Sequence, residues 1–351
     1  MPHFQPDRRT PEGRIIRTDD PPNQEFDLTR LTDPVTPNDQ FYVRCHGDVP
    51  ATSPAWRVTV LGLVERPLSL SLDELRALPQ AEAVVTLECA GNRRTLQRPT
   101  PGGIAWQEGA VSTARWRGVR LAEILARAGV HPDARHVRLV GADRCDSDDA
   151  EVPFARSIPI ERARTGGALL ALTMNGEPLP TLHGAPVRAV IPQVYAMDSV
   201  KWLRTIELAR DPEPGPFQSE DYQLWYGSSP VGEEIGPLRV ASVIASPRPP
   251  RELRAGRQRI RGAAWTGSGT VVDVQVSTDA GATWQPARLL GEATPGAWVL
   301  WETEWTAVPG EHTLLARATD SAGNRQPDAL PPNRKGYANN FVVPVTVRVT
   351  P

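Results

Sequence analysis

Lysine is almost missing from this 351-residue chain: Lys+Arg is 39, and only Lys201 and Lys335 are lysine. A chain that writes nearly every cation as Arg keeps a Lys by chance on the surface, or where a compact, flexible ammonium serves better than a planar fork. Cysteine is scarce as well. Cys45, Cys89 and Cys145 are too few and too scattered for a disulfide framework or a CxxC zinc site, which suits free thiols in a reducing cytoplasm. No apolar run approaches the roughly 18 residues of a membrane span. The polar N-terminal stretch contains no apolar core of a secretory signal, so a cytoplasmic setting is expected, a reading that a chain trimmed of its signal would share. An excess of one charge is missing too. Asp+Glu is 41 and the formal net charge is −2, which excludes a globally basic nucleic-acid binder and a strongly acidic disordered chain.

Hydrophobic residues make up 40% of the chain, enough for a sizeable core, and at about 100–200 residues per domain the length suggests two domains. Glycine (28) and proline (36) are abundant and point to many short strands and turns. Residues 1–37 read as an extended lead draped over the body. Residues 56–62 and 84–88 read as strands, and so do 137–140 and 187–191. Ser71 and Glu74 form a capping-box pattern ahead of a short helix. Leu121, Ile124, Leu125 and Ala128 have helical spacing, with Gly129 as the stop. Beyond a Gly/Pro-rich stretch ending near Pro237, almost only strands follow. The expected architecture is α+β: a mixed catalytic domain over residues 1–236, then an all-β sandwich of immunoglobulin-like size over 237–351. The inner face of the sandwich is expected to carry Trp265, Trp284, Trp298, Trp301 and Trp305 as core.

Cys89 is the first candidate for chemistry. It follows a predicted strand, with small Ala90 and Gly91 beside it and Arg93 and Arg94 nearby. Positive charge and free space favour a thiolate, which attacks electrophiles or ligates a soft metal. As a nucleophile it would need His46 or His183 as base, and neither has an acidic neighbour in sequence. A one-thiolate metal site completed by a cofactor fits equally well. Three segments around Arg44 and His46, His183 and Arg188, and Ser199 and Lys201 set a cation beside Gly, Ser or a turn, as anion-holding loops do. None is a Walker loop or GxGxxG fingerprint, which disfavours ATP and NAD.

The strings FYVRCHGDVP (residues 41–50), LECAGNRR (87–94), GIAWQEGAVSTARWRGVRL (103–121), MNGEPLPTLHGAPVRAVIP (174–192) and DSVKW (198–202), in this order, resemble the sulfite oxidase family of molybdenum enzymes. The tail strings VASVIASP (240–247), GAAWTGSGTVVDVQVSTDAGATW (262–284) and ATDSAGNRQPD (318–328) resemble its immunoglobulin-like dimerisation domain. The resemblance implies molybdenum held by one molybdopterin and by a single protein thiolate, Cys89. It implies cofactor contacts from Phe41, Arg44, His46, His183, Arg188, Ser199, Val200 and Lys201, with Asp146 where the local spacing shifts. The substrate-anion pocket maps onto Arg44, Arg94, Trp106, Tyr222 and Lys335. The implied reaction is oxygen-atom transfer oxidising sulfite to sulfate. The alternative is the same cofactor reducing nitrate or a sulfoxide.

Three departures bear on substrate: Lys335 stands where family members with sulfite activity usually have Arg, Gly102 where a Lys is found, and Cys45 where Asn is common. No CxxCH haem signature and no flavin segment is present, so a separate electron acceptor such as a cytochrome is expected. The resemblance implies a homodimer through residues 237–351, with a monomer as the alternative. A non-catalytic adhesion module built on the Trp-bearing sandwich is the reading from another class.

Overall fold

A computed structural model describes residues 7–147, 150–249 and 252–351. Strands dominate. Among the described residues the four α-helices are short, the longest being Leu121–Ala128. Its apolar residues Leu121, Ile124, Leu125 and Ala128 are all buried, and Gly129, at φ 71°, ends it, as the spacing foretold. The capping box forms too: Ser71 accepts from the Glu74 amide, and Glu74 reaches back to the Ser71 amide at the start of Leu72–Ala77. No helix among the described residues is long and apolar enough to cross a membrane.

Two five-stranded sheets frame the N-terminal half. One runs in the order Leu68–Ser71, Arg57–Gly62, Leu203–Ala209, His136–Ser147, Ala150–Pro159. The other runs Glu177–Pro178, Leu169–Met174, Val111–Arg120, Gln80–Glu88, with Arg188–Val190 also pairing with Leu169–Met174. The lead is more than a drape. Ile15–Thr18 and Asn23–Glu25 form a small sheet with Val43–Arg44, and Phe26 and Leu28 are buried in the main core.

In the C-terminal half a four-stranded sheet (Ala241–Ser246, Gly256–Trp265, Val299–Ala307, Arg288–Leu290) and a five-stranded sheet (Leu253–Arg254, Val345–Thr350, Gly310–Asp320, Val271–Ser277, Gln285–Pro286) share a second core. The alternation of Val345, Val347 and Val349, and of Val274 and Val276, places these side chains inside. Val272, which the same period-two reading puts inside, is exposed, and Val271 is buried instead, because the register shifts between Val271 and Asp273. The five tryptophans divide. Only Trp301 is buried in this second core, with Trp305 packed partly buried against it. Trp265 and Trp298 belong to the main core, and Trp284 is half-buried under the Arg317 guanidinium. An indole is wide enough to bridge layers, so a tryptophan on a strand of one half can serve the core of the other.

Candidate active site

Loops at the ends of strands from both N-terminal sheets converge on one cleft. Phe41, Arg44, His46, Cys89, His183, Arg188, Ser199, Val200, Lys201 and Tyr222 all line it. Nine of the ten proposed cofactor contacts, from segments up to 160 residues apart in sequence, thus meet at one place.

Cys89 follows directly on Gln80–Glu88. Its amide donates to the Ala110 carbonyl at 2.9 Å and its carbonyl accepts from the Asn92 amide at 2.9 Å, so the turn that presents the sulfur is tied at both sides. Burial pushes the thiol up, with Arg44 and Arg94 partly opposing it. Sequence reasoning expected the flanking arginines to win and to favour a thiolate. Desolvation wins instead, and Arg93 contributes no charge to the cavity because it points away from it: its Nη2 donates to the Ser242 carbonyl at 3.0 Å. No His serves as a base for Cys89 here. His183 Nε2 lies 3.0 Å from the Asn38 carbonyl, and the His46 ring is occupied on both nitrogens by Arg44 and Tyr222. Among the described residues no three His, Cys, Asp or Glu gather at one point, so a metal on Cys89 would need most of its ligands from a bound group.

Among the described residues, none of the cavity cations is in direct ion pairing with a carboxylate, although Asp143 lines the same cleft and its charge acts on Lys201. Arg188 donates to the carbonyls of Ala189, His183 and Ser199 and lies over the Trp116 ring; burial lowers its pKa to about 10. The Lys201 ammonium reaches Cys45 Sγ at 3.0 Å and the Leu182 carbonyl at 3.1 Å, above the Trp202 ring, and burial lowers its pKa also. Burying cations on neutral acceptors is costly, so an anionic guest that supplies the missing charge is favoured here. A thiol on the wall and several buried cations that outnumber the one buried acid, Asp143, together suit a phosphate-bearing, metal-carrying group.

Tyr222 lines the same cleft. Its hydroxyl oxygen is 2.6 Å from His46 Nε2, while Arg44 Nη2 is 3.2 Å from His46 Nδ1. Arginine can only donate, so Nδ1 accepts. Burial and the charges of Arg44 and Lys201 hold His46 neutral, so its proton is on Nε2 and points at the Tyr222 oxygen. The Tyr222 O–H proton is then free for another acceptor.

Two expected residues lie elsewhere. Asp146 is exposed on His136–Ser147 and does not line the cavity. Asp143, buried with an unpartnered Oδ1, lines it in its place. Strand parity explains the correction: Val137 and Leu139 face inward, so odd positions continue inward to Asp143 and Cys145 and even ones point out. Burial pushes the Asp143 carboxyl up to about 6. Lys335 is the other. Its ammonium bonds Asp221 Oδ1 at 2.6 Å, and its side chain is 44% exposed and outside the cavity lining. A cation paired with a half-exposed acid offers little net charge to an anion.

Arg94 and Trp106 are buried close by without lining the cavity. Arg94 Nε donates to the Lys335 carbonyl and Nη1 to the Ile104 carbonyl, both at 2.9 Å, and the Trp106 indole N–H has no partner. A Cβ at Gly102 would meet nothing within 4 Å, so the cation missing there leaves open space. Sequence reasoning missed Tyr337, stacked on Tyr222 at 5.3 Å with the Arg94 guanidinium 5.2 Å from its ring. It also missed Phe154 and Phe217, which wall in His46. Tyr337 could have been suspected from its place two residues after Lys335; the two phenylalanines carry no local signal.

The chain is similar to known proteins along its length. Residues 46–217 match a family model described as an oxidoreductase molybdopterin binding domain, and residues 233–350 match one described as a Mo-co oxidoreductase dimerisation domain. The chain is 41% identical over 320 residues to sulfite oxidase of Gallus gallus, covering 85% of this chain and 69% of that protein. It is 38% identical over 342 residues to the mitochondrial sulfite oxidase of Homo sapiens, covering 90% and 62%. The chain thus spans about two thirds of the length of these relatives. Among solved structures it resembles the sulfane dehydrogenase SoxCD from Paracoccus pantotrophus, with a TM-score of 0.86 at 25% identity, covering 100% of this chain and 94% of that one.

Proposed function

Because the chain belongs to the sulfite oxidase family of molybdenum-dependent oxidoreductases, we propose that it oxidises sulfite to sulfate, with Cys89 as the one protein ligand to a metal carried by one molybdopterin. The observation that carries the reading is the cleft itself: a thiol lining the same wall as several buried cations, none of them ion-paired among the described residues and with Asp143 the one buried acid among the lining residues. Bound there, the molybdenum centre supplies two-electron oxygen-atom transfer. Arg188, Lys201 and the Ser199 hydroxyl hold the phosphate-bearing group, and Phe41, Val200 and the His183 ring, whose one N–H is spent on the Asn38 carbonyl, pack against it. Arg44 and Arg94 oppose the negative charge of the substrate near the sulfur of Cys89, an electrostatic role that a water-poor site strengthens. Tyr222, whose oxygen accepts from His46, turns its own proton toward the substrate oxygens. Trp106 offers an unpartnered N–H beside them.

Electrons leave to a separate acceptor such as a cytochrome. The immunoglobulin-like sandwich over 237–351, after the catalytic domain over 1–236, joins two copies of the chain; the dimerisation-domain match supports this assembly. Three buried, unpaired thiols suit a cytoplasmic setting.

The test is turnover on one molybdenum-loaded preparation. Sulfite is expected to reduce ferricyanide or a cytochrome, and nitrate and small sulfoxides to turn over much more slowly. A preparation carrying molybdenum that ignores sulfite would sink the proposal. Cys89→Ser is expected to keep the fold and lose more than about 100-fold in turnover, since even partners behind a metal ligand are worth 10–100-fold. Full activity in that variant would show the ligand to be misassigned.

A further inference from the structure

The turn that presents Cys89 is fastened from the other half of the chain. Glu88, the residue before it, is buried, and both its carboxylate oxygens are taken: Oε1 accepts from Asn92 Nδ2 at 2.9 Å, and Oε2 accepts from the Trp265 indole N–H at 2.8 Å. Asn92 Oδ1 in turn accepts from the Ala110 amide at 3.1 Å. Trp265 ends the strand Gly256–Trp265 of the C-terminal sheet, yet packs in the main core. The Arg93 guanidinium lies 5.6 Å from its ring. Arg93 is itself wholly buried, and it donates to the Ser242 carbonyl on the neighbouring strand Ala241–Ser246. The Ala90 carbonyl accepts from the Ala338 amide at 2.7 Å.

We infer that Trp265 is a positioning residue for the Cys89 thiolate, acting through Glu88. The inference rests on the reading of Cys89 as the metal's thiolate. A buried carboxylate needs its donors, because an unmet lone pair in a dry site is penalised in full. Glu88 therefore stays where Trp265 and Asn92 hold it, and the peptide bond to Cys89 is held with it. The sandwich thereby sets where the sulfur points, so its part in the enzyme extends beyond joining copies. The motif residues Asn92 and Arg93 find their use here too: they lie outside the cavity lining because they tie the turn to its support.

Two substitutions break the contact with little loss of bulk. Trp265→Phe removes the N–H. Glu88→Gln leaves one acceptor oxygen where two donors now converge. Val347→Ala, in the second core and away from the contact, is the control for plain loss of stability. The first readout uses cofactor-free protein: the rate at which iodoacetamide alkylates Cys89, followed by peptide mass. The second uses loaded enzyme: kcat and KM for sulfite together with the Mo(V) paramagnetic resonance spectrum.

Both contact variants are expected to alkylate about tenfold faster, in keeping with a lost charge-assisted hydrogen bond. They should also lose about tenfold in kcat at near-constant KM, the pattern of a misplaced reacting group, and shift the Mo(V) spectrum. Val347→Ala should lower the melting temperature and leave the other readouts alone. Trp265→Phe with wild-type alkylation and spectrum overturns the inference, and so does Val347→Ala matching it at equal loss of melting temperature. Should Cys89→Ser keep both molybdenum and turnover, the ligand assignment fails on its own, and the alkylation rates still decide the Trp265 contact.

Discussion

At His183 burial and charge act together. Buried beside Lys201 and Arg188, its imidazole is pushed down to about 3, desolvation being the largest cause and the hydrogen bond to the Asn38 carbonyl opposing it. Unfolded, the same ring takes up a proton near 6.5. Between those two values the unfolded chain binds the extra proton, so His183 contributes stability that is intact above about pH 6.5 and is lost as pH falls toward 3. Asp143, pushed up to about 6, has the opposite slope: its burial costs more as pH rises from its ordinary range to about 6. For cofactor-free protein, melting temperature is expected to fall less steeply in His183→Gln than in wild type as pH is lowered through this window. Parallel curves for the two proteins would mean that the ring protonates without penalty in the folded state.

At the scale of elements, short segments bring the site residues together by close approach. The loop after Val43–Arg44 passes so near the strand His136–Ser147 that a Cβ on Gly47 would lie 1.7 Å from the Arg144 carbonyl oxygen. A neighbouring backbone cannot yield as a flexible side chain can, and overpacking of this kind costs about 1–3 kcal/mol or more. Gly47→Ala is expected to lose at least that much stability and, by displacing His46, to hold less molybdenum per chain. Calorimetry and metal analysis check both. The helix Leu72–Ala77 shows the contrasting case: its cap is local, and Ser71 and Glu74 declared it in sequence.

For the whole molecule, the two cores are not two independent bodies. Val243, Ala263, Trp265, Trp298 and Leu300 come from the C-terminal strands, yet they are buried in the cluster that holds Cys89 and the N-terminal sheets. The Trp298 indole donates to the Pro34 carbonyl in the lead at 2.7 Å. Such shared burial couples unfolding. Heating the chain is expected to give a single cooperative transition in calorimetry, and Trp298→Ala to lower it by about 3–5 kcal/mol. Two separate transitions would show halves that hold together independently.

The sequence alone determined what is local or periodic: the capping box at Ser71, the helix ended by Gly129, the alternating valines of the last strand, and the strings around Cys89, His183 and Lys201 that tie the chain to its family. Such features depend on neighbours a few residues away, where backbone geometry is already set. Tertiary structure decided the rest. It turned Lys335 onto Asp221, set Asp143 rather than Asp146 against the cleft, pointed Arg93 away from it, and sent Trp265 across to Glu88. Each of those outcomes depends on which distant group takes up a buried charge or donor, and desolvation makes that choice only when the strands have packed.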